Sequence, residues 1–484
     1  MKRTFVLSTI GAIGAIAMTA GAVMAETVPL KAVNKANEVI DAAIEAHGGA
    51  DALNGITTYV QESTFNNFAV GQSRKPGAPW DRNSSEQMAA IDLENEIYVT
   101  RATGEGGGFT FDGGTIINGE DSYQIDYRRG TAAPIAQPNY DNASGPTIRI
   151  TPVLLMKQLL ARRHTSHWLG EMEVDGRNHD IVTMVMEVGP ALSLYFDQET
   201  HMLNRMERVL PPFGQVEYEF LDYEMVDGVA LNKGFKLLVN GDDNIIIDDL
   251  RQKVNVPVDQ YASVPSGLEM IASVTPNDFG SNEIDEGVFL IGGNGAYGLF
   301  VEMDDYIVAV GGTQGVANRI AELRNEIPDK PIRYGVLTHH HSDHIPGTAD
   351  YAAEGATVVT FRENEEVVRA AAGSDVELQF VEDNLTLESG DRRIEFVNIG
   401  PTPHVENMLI AYLPKEGIIF EADHFGLPQT GPVGPAVPAA IAFAEALDSH
   451  GLRYSKIVGA HSPKIASPSD LADALNKAAS SSAR

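Results

Sequence analysis

The chain has 484 residues, 67 acidic and 35 basic side chains, a formal net charge of −32 and no cysteine. So large a negative charge repels phosphate backbones and anionic lipid surfaces, which argues against a nucleic-acid-binding function. The absence of cysteine excludes disulfides, and the length exceeds what a single hydrophobic core usually organises, so we expect two or more domains.

The first segment, residues 1–25, has the pattern of a secretory signal peptide. Lys2 and Arg3 precede an apolar stretch that ends near Ala20, and a Val-Met-Ala sequence closes the segment. The stretch is too short and too rich in glycine and alanine to span a membrane comfortably. We therefore expect cleavage before Glu26, no membrane span, and a periplasmic or secreted protein.

Residues 26–260 carry the pattern of an antiparallel, β-rich domain with a few helices. Apolar and polar side chains alternate in several short runs, as half-buried strands require. The clearest runs are 123–127, 182–188 and 216–220. Helical spacing of apolar residues leads up to Gly48-Gly49, and a second helix should begin at Pro152 and run to about Arg163.

The opening of this domain at residues 44–60 reads helix, His-Gly-Gly, Ala-Leu, strand. In this pattern it resembles the half-barrel fold of periplasmic lipoprotein carriers. The resemblance implies that the domain either holds an apolar ligand or packs its apolar face on the rest of the chain and gates a substrate. We favour packing or gating, because clefts between domains commonly form pockets.

A proline-rich and polar run at 255–275 separates this domain from residues 273–484, where strands and helices alternate. Predicted strands lie at 306–310, 334–338, 357–361, 407–413 and 417–421. Predicted helices lie at 314–327, 363–372, 438–447 and 469–479. The alternation suits two sheets sandwiched between helices, an αββα arrangement, so the chain as a whole is expected to be α+β.

The sequence from Thr338 to His344, Thr-His-His-His-Ser-Asp-His, follows the apolar run 334–337. It places four potential metal ligands in six positions: His339, His341, Asp343 and His344. A strand that ends by projecting imidazoles and a carboxylate into its exit loop is not burying them as core. Neutral imidazole and carboxylate are ligands that zinc prefers, so this segment predicts a metal site.

Three more candidate ligands appear downstream, each at the predicted end of a strand. His404 follows a glycine-containing turn, Asp423 ends the apolar run 418–422, and His461 stands in a Gly-x-His context. Each is weak alone. Their order after the histidine-rich segment favours a metal site over coincidence.

Together these pieces resemble the metallo-β-lactamase superfamily over about residues 273–484. The resemblance implies an αββα fold and two zinc ions that share a hydroxide nucleophile. It implies that the first ion is held by His339, His341 and His404. It implies that the second is held by Asp343, His344 and His461, with Asp423 bridging the pair. Asp343 also takes a catalytic role, in which it orients the hydroxide or shuttles its proton.

The chain departs from one major branch of true β-lactamases, in which a cysteine occupies the place of Asp423. It is more similar to the branches with only histidine and aspartate ligands, which include glyoxalase II-like thioesterases, lactonases and phosphodiesterases. We therefore expect an exported zinc hydrolase that cleaves an ester, lactone, amide or β-lactam, or organophosphate bond in a small molecule. Two alternatives stay open: an iron-dependent sulfur dioxygenase of the same fold, and an apolar-ligand-binding protein with a structural metal. The sequence does not indicate an oligomeric state.

Three other features have simpler interpretations. The G-x-G-x-x-G sequence at 293–298 lies between two predicted strands and should form a hairpin turn instead of a dinucleotide-binding loop. His340 falls at the variable position of the histidine-rich motif. His424 follows Asp423, and either a contact with the site or a structural role is open for it.

Overall fold

The computed structural model describes residues 27–211, 214–275 and 277–482. The predicted signal peptide and its cleavage site before Glu26 lie outside these ranges. The described residues form an α+β fold, as predicted, with a large antiparallel N-terminal region followed by two further sheets. Within the described ranges, no helix is both long enough and apolar enough to cross a membrane.

The N-terminal region is built from one continuous sheet and a few helices. Its α-helices are α1 (Val28–Ala46), α2 (Ala50–Asn54), α3 (Tyr140–Ile150) and α4 (Pro152–Arg162). Its strands are β1 (Thr58–Phe68), β2 (Arg82–Asp92), β3 (Ile97–Gly106), β4 (Phe109–Asn118), β5 (Tyr123–Asp126), β6 (Thr131–Pro134), β7 (Trp168–Val174), β8 (Arg177–Val185), β9 (Ala191–Asp197), β10 (Leu203–Leu210), β11 (Gly214–Val226), β12 (Val229–Val239), β13 (Asp242–Ile247), β14 (Leu250–Val254) and β15 (Glu269–Met270).

Strand β1 lies at the centre of this sheet. It pairs with β2 on one side and with β13 and β14 on the other, all antiparallel. The apolar stripe of α1, with Ile40 and Ala43 fully buried, packs with α4 in the same core as the inward side chains of β8 to β12. The three alternating runs predicted from sequence therefore lie on β5, β8 and β11, and each presents one face to a core.

Helix α3 was not predicted, although α4 begins and ends close to its predicted bounds. Gly145 and Pro146 lie inside α3 and are poor helix residues, so the sequence reads as a loop there. The side chain of Asn139 caps the helix by accepting from the amide of Asn142, and burial of Ile148 against the sheet holds it. Tertiary packing thus outweighs local propensity.

The C-terminal region contains two facing sheets. The first consists of β16 (Gly280–Asp285), β17 (Val288–Gly293), β18 (Ala296–Glu302), β19 (Ile307–Val310), β20 (Ile332–Val336), β21 (Thr357–Phe361) and β22 (Leu378–Val381). The second consists of β23 (Asn384–Ser389), β24 (Arg392–Asn398), β25 (Leu409–Leu413), β26 (Ile418–Glu421), β27 (Lys456–Gly459) and β28 (Ser462–Ala466). The α-helices are α5 (Val316–Glu326), α6 (Thr348–Ala353), α7 (Glu365–Ala372), α8 (Pro438–Ser449) and α9 (Pro468–Ser482).

These layers give the predicted αββα sandwich. Val310 and Val336 of the first sheet share a buried core with Phe396 and Phe420 of the second. Helices α5 to α7 cover the outer face of the first sheet, and α8 and α9 cover the second. The G-x-G-x-x-G sequence connects β17 to β18 as a hairpin, with Gly293 opposite Ala296, so that interpretation is confirmed.

The topology brings several strand ends to one edge of the sandwich. Strands β19 to β22 run parallel, so β20 is an interior strand that ends beside the ends of its neighbours. In the second sheet β24 and β26 are each antiparallel to β25, and β26 is parallel to β27. Strands β24, β26 and β27 therefore end on the same side, which is the placement that lets loops from different strands share a site.

Candidate metal centre

The histidine-rich segment leaves β20 and enters a buried loop. His339, His341 and His344 are almost completely buried, whereas the side chain of Asp343 is 51% exposed to solvent. Leu409 at the start of β25 donates its amide to the carbonyl oxygen of Thr338 at 2.8 Å, which ties this loop to the second sheet. This backbone hydrogen bond helps to position the loop that carries the imidazoles.

The remaining candidate ligands come from the second sheet. His404 lies in the loop after β24, Asp423 directly after β26, and His461 between β27 and β28. All seven sequence-predicted residues meet at this edge. Their ligand atoms form two groups, each with atoms within 4.8 Å of one another: His339, His341, His404 and Asp423 in the first, and Asp343, His344 and His461 in the second.

Asp423 lies between these groups. Its Oδ2 is 3.0 Å from His339 Nε2, and it is 3.1 Å from both His344 Nε2 and His404 Nε2. Its Oδ1 is 3.0 Å from His461 Nε2. One carboxylate therefore contacts imidazoles of both groups, as the resemblance implied for a bridging residue.

Three of the imidazoles point one nitrogen at the cluster and bond the other to a backbone carbonyl oxygen. His404 donates Nδ1 to the carbonyl oxygen of Gly107 at 2.7 Å, and His461 donates Nδ1 to that of Gly295 at 2.8 Å. His341 is reversed, since its Nε2 donates to Ser73 at 3.1 Å and its Nδ1 faces inward. Such bonds fix the tautomer and leave the inward nitrogen with a lone pair, as a metal ligand requires.

The protonation states of the cluster are strongly coupled. Burial disfavours an ionised Asp423, but the charge of His344 and hydrogen bonds from His339, His344 and His404 outweigh it, so the pKa of Asp423 lies well below its usual range. Burial also opposes a charged His344, yet Asp423 and Asp343 raise its pKa to about 10. Burial and neighbouring imidazoles lower the pKa of His341 to about 3. Without metal, the cluster therefore carries two carboxylates and an imidazolium at His344.

The N-terminal region contributes directly to the surroundings of the site, which sequence reasoning missed. Gln72, in the loop after β1, donates Nε2 to Asp343 Oδ1 at 2.8 Å. The carbonyl oxygens of Ser73 and Gly107 accept from His341 and His404, as described above. Phe109 at the start of β4 packs edge-on against His404, with ring centroids 5.3 Å apart. The candidate centre is therefore completed by both regions of the chain.

His340 and His424 have structural contacts. His340 is buried and donates Nε2 to the carbonyl oxygen of Ser73 at 2.9 Å. His424 is 2% exposed; its amide donates to Glu421 at 2.6 Å and its Nε2 lies 3.1 Å from Thr402 Oγ1. His424 thus joins the end of β26 to the loop that carries His404, which supports the site without entering either candidate ligand group in the described residues.

A pocket of about 380 Å³ adjoins the cluster, with Asp423 and His461 in its wall. The segment after Asp423, rich in proline at 428, 432, 435 and 438, forms one side of it. Phe109 and Arg129 of the N-terminal region form part of another side. The candidate centre therefore has an adjacent space that both regions of the chain enclose.

The sandwich fold and the His/Asp cluster define a metallohydrolase-like domain. Residues 306–478 match the family model described as the metallo-beta-lactamase superfamily, so the chain contains a domain of that superfamily. The resemblance found in the sequence is confirmed for this part of the chain. No curated protein matches the chain.

Several solved structures align with less than half of this chain. A metallo-beta-lactamase from Pontibacter korlensis is 17% identical with a TM-score of 0.35, covering 42% of this chain and 99% of its own. The flavodiiron protein from Giardia intestinalis is 18% identical with a TM-score of 0.34, covering 42% and 60%. The alkylsulfatase Pisa1 from Pseudomonas sp. is 15% identical with a TM-score of 0.31, covering 40% and 41%. The likeness of the N-terminal region to lipoprotein carriers is not confirmed by these comparisons.

The contact between Gln72 and Asp343 leads to a first prediction. Gln72→Ala should lower kcat about tenfold, because supporting hydrogen bonds to a ligand typically contribute 10- to 100-fold to metal affinity or activity. Gln72→Glu should lower kcat further, because it places a second carboxylate beside that of Asp343 and the two repel each other. Gln124→Ala, an exposed glutamine of β5, is the matched control and should behave as wild type. Steady-state kinetics and metal content of the three variants test this, and a Gln72→Ala enzyme equal to the control would contradict it.

Proposed function

We propose that the chain is a dinuclear zinc hydrolase acting on an ester, lactone, amide or β-lactam, or organophosphate bond of a small molecule. The observation that supports this most is the position of Asp423, whose two oxygens contact imidazoles of both candidate ligand groups at 3.0–3.1 Å. A carboxylate so placed lowers the repulsion between two cations and fixes their separation.

The residues present fit a pair of divalent cations. In the described part of the chain, His341 Nδ1 is buried and has no hydrogen-bond partner, a costly state that a metal ligand would relieve. His339, His341 and His404 would hold one cation, Asp343, His344 and His461 the other, and Asp423 both. When bound, such cations supply activation of water at neutral pH and polarisation of a carbonyl or phosphoryl oxygen.

The protein's own groups define how substrate and water reach the centre. The side chains of Asp343 and His461 are 51% and 43% exposed, whereas that of His344 is fully buried. Access is therefore from the side of Asp343 and His461. Gln72 donates to Oδ1 of Asp343 and His344 Nε2 lies 3.3 Å from its Oδ2, so this exposed carboxylate is already oriented where water would enter.

This accessibility also favours an enzyme over a structural metal site. Structural zinc is usually enclosed by four protein ligands and leaves no open position. Here the candidate ligands outnumber one such shell, and two of them face solvent beside a pocket. The arrangement is suited to admitting a substrate.

Metal analysis tests the proposal directly. Purified protein should contain close to two zinc ions per chain, chelation should abolish hydrolysis of a substrate panel followed by acid release, and added zinc should restore it. Protein without transition metal whose activity survives chelation would contradict a metallohydrolase. Iron together with oxygen uptake would instead favour the sulfur dioxygenase alternative.

We further propose that the protein is exported, on the basis of the signal-peptide pattern at residues 1–25. N-terminal sequencing of periplasmic or secreted material should begin at Glu26, because the small residues before it suit signal peptidase. An intact Met1 in the membrane fraction would mean that the segment is retained as an anchor.

A further inference from the structure

The pocket beside the cluster has mainly apolar walls. Leu427 and Val433 of the segment after Asp423, together with Ala440 of α8 and Ala474 of α9, contribute aliphatic surface. Phe109 adds an aromatic ring from the N-terminal region. Its volume, about 380 Å³, is within the range of small-molecule sites, which are commonly apolar with a few polar groups at one end.

The polar groups of the wall are already engaged. Arg129 donates Nη2 to the carbonyl oxygens of Thr430 and Pro432 at 2.6 and 3.0 Å, so its guanidinium holds the proline-rich segment in place. Glu421 accepts from the amide of His424, and Asp423 contacts the imidazoles of the cluster, so both acidic side chains of the wall are engaged as well. Away from the end formed by Asp423 and His461, the described residues that line the pocket therefore offer no free cation to a buried anionic group, and burying an unpaired charge is costly.

We propose that this pocket binds the uncharged, apolar acyl part of the substrate, with the scissile group at the end formed by Asp423 and His461. The proposal rests on the proposed function and narrows it to esters, lactones or amides of apolar carboxylic acids. Phe109 and Arg129 make the N-terminal region a determinant of specificity, because Phe109 forms part of the wall and Arg129 holds the proline-rich segment that forms another part. The expected consequence is a substrate preference that grows with acyl length until the pocket is full.

A homologous series of 4-nitrophenyl esters, from acetyl to decanoyl, tests this on zinc-loaded full-length protein. Each methylene that enters the pocket should raise kcat/KM about fourfold, from the transfer free energy of a buried methylene. The rise should stop at one chain length, where the pocket is filled. Half-esters of dicarboxylic acids with equal length should be poor substrates, because their terminal carboxylate would be buried without a partner.

A variant that fills the pocket tests whether the preference for long acyl chains arises there. Ala440→Leu should lower kcat/KM for the octanoyl ester about tenfold more than for the acetyl ester. Ala442→Leu, the same change on α8 at a residue outside the pocket lining, is the matched control and should retain the wild-type series. Because Ala440 is 2% exposed, melting temperature and zinc content are measured alongside. If Ala440→Leu does not fold, a change at the half-buried Val433 carries the test: Val433→Thr adds a hydroxyl to the apolar wall and should flatten the series.

Binding of straight-chain primary amides, measured by calorimetry, separates the two proposals because it needs no turnover. Affinity that rises with chain length and falls in Ala440→Leu supports the pocket even if no compound of the hydrolase panel is cleaved, in which case the proposed function fails alone. A flat ester series in an active enzyme overturns the pocket proposal and leaves the function standing. No amide binding and no length dependence overturn the pocket proposal outright.

Discussion

Asp423→Ala should lose bound metal and lower kcat/KM on the order of 10²-fold or more, because both cations of the proposed centre would depend on its carboxylate. The side chain is 10% exposed and its Oδ2 lies within 3.1 Å of His339, His344 and His404. Removing it takes away the negative charge that these three imidazoles contact and that orients them. Asp423→Asn keeps the shape and removes only the charge, so it should also lose metal.

His340→Ala is the matched control, since His340 belongs to the same histidine-rich loop. It lies in neither candidate ligand group of the described residues, and it bonds to backbone oxygens of the N-terminal region, including that of Ser73, which also accepts from His341. Its removal should leave both metals in place and change turnover modestly. Metal content and kcat/KM of the variants decide the matter: an inactive His340→Ala beside a near-wild-type Asp423→Ala would show that the ligand assignment is in the wrong register.

The cluster could be anticipated from sequence because its signals are local. Four of its members fall between His339 and His344 directly after a strand, and each later member also follows a strand. In an αββα sandwich the ends of strands β20, β24, β26 and β27 meet at one edge, so the residues that follow these strands lie close together. Strand β21 was also predicted with its observed bounds, because its five consecutive residues are all apolar or β-branched and favour a strand.

The contribution of the N-terminal region could not be anticipated. Ser73 and Gly107 act through backbone carbonyl oxygens, which carry no side-chain signal. Gln72 acts across 271 positions of sequence, and a glutamine in a polar loop resembles any other surface residue. Only the packing of two regions shows which loop carbonyl meets which imidazole, so these residues required the structure.

Binding of the metals should release protons, and apparent affinity should therefore rise with pH. His344 has a pKa of about 10 in the metal-free protein, because Asp423 and Asp343 outweigh the effect of burial, so it is protonated at neutral pH. A ligand imidazole must be neutral, so each ion bound there displaces that proton. Affinity at this group should increase about tenfold per pH unit, or about 100-fold between pH 6 and 8, and the increase should continue towards pH 10.

The protonation states of the other candidate ligands decide whether more than this one proton is released. The pKa values of Asp343 and Asp423 are depressed, and those of His339 and His341 are lowered by burial, so these four carry no proton to displace near pH 7. The pKa of His461 is raised, since Asp423 outweighs burial, and His461 can only add to the release. Calorimetric zinc titrations in two buffers of different ionisation enthalpy count the protons. His164→Gln, an exposed histidine of the N-terminal region, should leave the count unchanged. Affinity independent of pH with no proton released would mean that His344 is neutral before metal arrives, and that Asp423 is not the charge that organises the centre.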